Sequence, residues 1–236
     1  MSEYVRGSFV PLSHLAHHWE MHSALPLTPA EDRTMVREPA QAVPATVAKR
    51  LGDMRVLLVP YVACSETGDL VCFSQPKGET HSSVWLETDG RTNLILPCRE
   101  LDAHDTGFEF LASIAELVQQ RLATHEIDQY SQLLEEDLRL GVPGEIDEDA
   151  VRAKQAVLKG RTSQRRGRAP FEHYREVSFV STLAEYMHGL WHDVQIRVGP
   201  EHLPLPQLRR RMKLLAEKLP PNPAYQVFSP ELGEQE

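Results

Sequence analysis

A chain of 236 residues, 41% hydrophobic and 25% charged, has ordinary globular composition and is long enough to bury a substantial core without covalent staples. Its net charge of −9 excludes a general nucleic-acid coat, which needs a basic face. No run approaches the roughly eighteen apolar residues of a membrane span, and Met1–Arg6 lacks the basic-then-apolar profile of a signal peptide. A soluble, cytoplasmic protein with no membrane partner is expected.

Residues 1–42 read as irregular with short helices. Ser13 stands as a helix cap before a segment carrying His14, His18 and His22 at intervals of four, which on a helix share one side. Pro44 opens a short helix over 43–51. The region 43–100 then changes character. Apolar, β-branched runs at Met54–Ala63, Leu70–Phe73, Ser83–Leu86 and Asn93–Leu96 alternate with turn chemistry, including Asp89-Gly90, a strong hairpin signal. The simplest arrangement is a four-stranded antiparallel β-meander. Pro60 marks an edge or a bulge, because proline cannot donate to the ladder.

Residues 101–222 read as about five helices. Thr106-Gly-Phe-Glu109 has capping-box spacing ahead of an apolar 3.6-residue pattern. A second helix covers Ile127–Leu140 and stops at Gly141; Asp147 caps a third. Pro170 opens the longest, over Phe171–Val198, and Pro206 opens the last, to Leu219. In that last helix Leu208, Met212, Leu215 and Leu219 make the core face, which leaves Arg209, Arg210 and Arg211 as its solvated side. Residues 223–236 read as a flexible tail. The whole is expected to be one α+β domain.

The chemistry concentrates at Glu185-x-x-His188-x-x-x-His192. At about 100° per residue, Leu183, Ala184, Met187, Leu190 and Trp191 fall on one apolar face of the long helix. Ser178, Ser181, Glu185, His188 and His192 form a lateral polar stripe, and Asp193 falls elsewhere. Imidazoles one turn apart can reach one ion, and neutral imidazole is a common zinc ligand. The metalloprotease pattern H-E-x-x-H has glutamate where Gly189 stands here, so its general base is absent. A catalytic zinc needs a third protein ligand. The segment Arg99–Gly107, at a strand-to-helix junction, offers Asp102 and His104, with Asp105 and Thr106 sufficing as caps.

Three cysteines, Cys64, Cys72 and Cys98, without a C-x-x-C pair, read as reduced core thiols, and a cysteine-ligated zinc is disfavoured. The charge is uneven. The window Glu126–Asp149 holds nine acids against one arginine, and Lys159–Arg168 holds five cations and no acid. Three functions follow as expectations. The most specific is a divalent-metal site, zinc above all, on Glu185, His188, His192, Asp102 and His104, performing hydrolysis on a small-molecule or peptide substrate. The second is a non-catalytic interaction or scaffold protein, with homo-oligomers allowed. The least favoured is nucleic-acid association through the basic loop 159–168.

Overall fold

The computed structural model describes residues 1–66, 68–162, 168–192 and 199–228. The chain divides into two compact units, Met1–Ile114 and Ala115–Glu236.

In the first unit a short turn α1 (Ser2–Val5) precedes β1 (Ser13–His14), a 3₁₀ turn at Ala16–His18 and β2 (Glu20–Ser23). The helix expected from Ser13 is therefore a strand pair, with Ser13 opposite Met21 in antiparallel register. Burial decides this. Trp19 and Met21 are both buried, and residues two apart share a face only in an extended chain. His17 and His18 make the reversal with φ of +62° each. The Trp19 indole donates to the Gly52 carbonyl at 3.0 Å and stands edge-on to Phe110 at 6.4 Å.

A crossover of short helices follows: α2 (Pro29–Asp32), α3 (Glu38–Ala42) and α4 (Ala45–Leu51), with a π-type segment at Arg33–Arg37. Thr28 and Glu31 form a reciprocal capping box. The remaining strands are β3 (Met54–Val59), β4 (Tyr61–Ala63), β5 (Leu70–Cys72), β6 (Val84–Thr88) and β7 (Arg91–Pro97). Pro60 separates β3 from β4, as its missing N–H requires.

The α+β class stands, but the meander does not. The main sheet runs β1-β2-β3-β7-β6 and is mixed: β2 pairs parallel with β3, and β3 parallel with β7. Only its outer pairs are antiparallel. β4 and β5 form a separate two-stranded sheet. The Asp89-Gly90 hairpin forms as expected between β6 and β7, both turn residues at positive φ. Parallel pairing suits strands covered on both faces. β7 is buried from Thr92 to Pro97, and Leu57, Val59, Val62 and Ile95 pack with Val5 in one core cluster.

The boundary between the units falls within α5 (Ala103–Arg121). That helix begins three residues before the expected capping box: the Asp102 carboxylate accepts the Asp105 N–H at 2.8 Å. The second unit continues with α6 (Asp128–Leu140), α7 (Glu148–Thr162), α8 (Arg168–Trp191) and α9 (Leu205–Lys218). Gly141 stops α6 in the left-handed region, and Asp147 caps α7 by accepting the Ala150 N–H at 2.8 Å. From Ser181 to Leu190, α8 is buried all round. Among the described residues no helix is long and apolar enough to cross a membrane.

Candidate metal centre

The expected site residues lie in both units. Asp102, His104 and Asp105 bring one ligand atom each within 4.8 Å of one another at the start of α5, in the first unit. Their other duties are local. Asp102 caps the helix, the Thr106 hydroxyl donates to the Asp102 carbonyl at 2.7 Å, and His104 Nδ1 lies 3.5 Å from Asp105 Oδ1. An acidic helix start is explained by capping and by the helix dipole.

Glu185, His188 and His192 belong to the second unit. Glu185 and His188 are buried and His192 is exposed, so the stripe runs from the interior to solvent at the end of α8. The stripe expected to lie lateral to the apolar face is buried over its interior members, because Ser178 and Ser181 are buried too. The two imidazole centroids are 5.7 Å apart, and Trp191 stands edge-on to His188 and 4.1 Å from His192. Among the described residues, Glu185, His188 and His192 are not one of the trios whose ligand atoms converge within 4.8 Å. Asp193 lies outside the described residues, as do residues 163–167 of the basic loop; Lys159 and Gly160 belong to α7.

The other converging trio is one the sequence does not announce: Cys64, Asp69 and His81, again with ligand atoms within 4.8 Å of one another. The backbone assembles it. Cys64 directly follows β4 and Asp69 directly precedes β5, so the antiparallel pairing of Ala63 with Leu70 sets the two at one end of the hairpin. A turn from Ser65 closes it, the Gly68 N–H donating to the Ser65 carbonyl at 3.0 Å. The segment Glu79–His81 lies along the other side of β4. The Cys64 N–H donates to the Glu79 carbonyl and the His81 N–H to the Val62 carbonyl, both at 2.9 Å. Thr80 forms an isolated bridge with Ala63.

The side chains then meet. His81 Nε2 lies 2.8 Å from Asp69 Oδ1, which leaves Nδ1 as the second nitrogen of the ring. All three residues are half-buried. Partial desolvation first, then the charges of Asp69 and Glu79, raise the Cys64 thiol above its ordinary value. All three cysteines of the chain are free thiols, as expected. Cys98 is the core thiol of the set, buried, with its pKa pushed up to about 11 by burial. Cys64 is half-buried, and its thiol is one of three side chains placed closely enough to hold an ion. Its spacings to Asp69 and His81 match no motif; only the strand pairing brings them together.

A second polar cluster lies in the interior of the second unit. Arg211 is fully buried, which corrects its assignment to the solvated side of α9. Its guanidinium meets Glu145 through two parallel hydrogen bonds, Nη1 to Oε2 at 2.6 Å and Nη2 to Oε1 at 3.0 Å. It also donates to Asp137 Oδ2 from Nε at 3.3 Å and from Nη2 at 3.0 Å, and to the Ser178 hydroxyl at 3.0 Å. Tyr174 donates to Glu145, and Lys154 Nζ sits 3.2 Å from the same carboxylate. Burial works to raise the Glu145 pKa, but Arg211, Lys154 and Tyr174 outweigh it and hold the carboxyl below its ordinary range. Two cations and two carboxylates balance, and the Arg211 donors are engaged. The cluster is a structural tie among α6, α7, α8 and α9.

No family model matches this sequence, and no curated protein or solved structure matches it either.

Proposed function

We propose that this chain binds one divalent ion of the zinc type through Cys64, Asp69 and His81, and that the ion serves hydrolytic chemistry on a small molecule or peptide. The observation supporting this is the convergence of three different donor types from three adjacent backbone segments. Thiolate, carboxylate and imidazole are all zinc ligands, and three protein ligands with an open fourth position is the composition of a catalytic site. Ions of this kind lower the pKa of a bound water to about 7, which supplies a nucleophile at neutral pH. Bonds of about 2.0–2.3 Å set tetrahedral ligands roughly 3.3–3.7 Å apart. Ligand atoms already within 4.8 Å of one another reach that spacing by side-chain shifts of about 1 Å or less, and the His81–Asp69 contact of 2.8 Å opens slightly.

A second reading places the ion on His188 and His192 with Glu185, all within the second unit. The 5.7 Å imidazole pair at the solvent end of α8 favours it. Calorimetric titration with zinc under reducing conditions separates the readings. The first expects one tight site, lost in Cys64→Ser and His81→Ala and retained in His188→Ala/His192→Ala. The reverse pattern selects the second. Absence of any saturable zinc binding in the unsubstituted chain sinks both and leaves the non-catalytic interaction protein.

A further inference from the structure

A groove of about 790 Å³ runs between α6 and α9 in the second unit. That is the size range of small-molecule sites. The spacing of α9 directs Arg209, Arg210 and Lys213 into it from one side, while Gln132 and Glu136 face them from α6. The three cations are not equivalent. Arg210 is held by Glu136 and lies 3.9 Å from Asp137. Arg209 and Lys213, one helical turn apart, have no carboxylate within 4.0 Å among the described residues. The Arg209 guanidinium is held over the Phe228 ring at 5.6 Å, and its Nε–H is buried with no acceptor among the described residues. A guanidinium held in place with no carboxylate partner, beside an ammonium, is the chemistry that captures a phosphoryl group.

The far end of the groove differs. Glu217 lies two turns along α9, about 12 Å from Arg209 by the helical rise. Glu217, with Gln129 of α6, offers hydrogen-bond acceptors suited to hydroxyl or amino groups and repels a second phosphate. The net charge of −9 opposes a polyanionic strand. We infer that the α6–α9 groove binds a small phosphomonoester, its phosphoryl group on Arg209 and Lys213 and its hydroxyl- or amine-bearing body toward Glu217. This site is independent of the metal reading, and it gives the cationic run 209–213 a role other than solvated surface.

Calorimetric titration of the full chain with glucose 6-phosphate, inorganic phosphate, glucose and a single-stranded oligonucleotide tests it. Glucose 6-phosphate is expected to bind saturably and more tightly than inorganic phosphate, with glucose alone not binding. Arg209→Ala and Lys213→Ala should each weaken it roughly tenfold or more, as loss of a charge-assisted hydrogen bond does. Both positions are at least partly exposed, so circular dichroism should stay native. Unchanged affinity in these variants, no saturable binding of the phosphomonoester, or preference for the oligonucleotide overturns the proposal.

Discussion

Arg211 sits between Arg210, which is exposed, and Met212, which is fully buried. The sequence carries a signal for its position, since residue 211 lies three after Leu208 and four before Leu215, at the margin of the apolar face. Composition alone hides that signal, because one arginine in a run of three looks like its neighbours. Its acceptors come from residues 66 and 74 positions away, which no local pattern announces. Removing one partner of a buried pair leaves the others uncompensated, so Arg211→Met is expected to destabilise the second unit by about 3–5 kcal/mol in urea unfolding. Arg210→Ala, at a surface pair, is expected to cost about 1 kcal/mol or less. Glu145 gives the matching pH dependence. Its folded pKa is depressed, so its contribution is fully present above the unfolded value of 4.5 and is lost as pH falls below it. Stability followed from pH 7 to pH 3 should drop on the acid side, and the drop should be smaller in Glu145→Gln.

Glycine shows what the elements demand of the chain. Gly90 in the β6–β7 turn and Gly144 before α7 both take positive φ, but their surroundings differ. A Cβ on Gly90 meets nothing within 4 Å, whereas one on Gly144 would stand 2.2 Å from the His202 carbonyl oxygen. There Glu145 pairs with the segment Glu201–Leu203 through two backbone hydrogen bonds of 3.0 Å. Gly90→Ala is expected to cost about 1 kcal/mol, the conformational penalty alone. Gly144→Ala is expected to cost several-fold more, read as a lower denaturant midpoint. At the same scale, Ile95→Ala in the core of β7, fully buried, should cost about 2–5 kcal/mol. The strands were largely legible from apolar runs and turn residues, and the Asp89-Gly90 hairpin was legible outright. The pairing order was not. The unbroken apolar runs of β3 and β7 are the mark of strands covered on both faces, hence parallel. Chain order alone favours a meander, because consecutive strands usually neighbour one another. The β1–β2 pair is masked in the sequence by a histidine spacing that fits a helix, while the buried Trp19 and Met21 require an extended chain.

For the whole molecule, the α+β composition and the succession of helices from α5 to α9 were readable from periodicity. The division at Ile114 was not, because it falls within a continuous helix. The candidate centre was the least legible feature. Cys64, Asp69 and His81 are dispersed over eighteen positions among loop residues, and two backbone pairings on either side of β4 make them neighbours. The histidine pair on α8 was visible because its spacing is local. A ligand that binds only the folded state stabilises it by about 2.7 kcal/mol at one hundred times its dissociation constant. Zinc should therefore raise the thermal midpoint of the intact chain and leave that of Cys64→Ser unchanged. The most direct test is the absorption spectrum of the reduced protein titrated with cobalt(II), which reports a thiolate ligand by its sulfur-to-metal charge-transfer band. One equivalent of cobalt should produce that band, and Cys64→Ser should abolish it. Cobalt binding without a charge-transfer band, or an unchanged band in Cys64→Ser, would contradict a centre built on Cys64, Asp69 and His81.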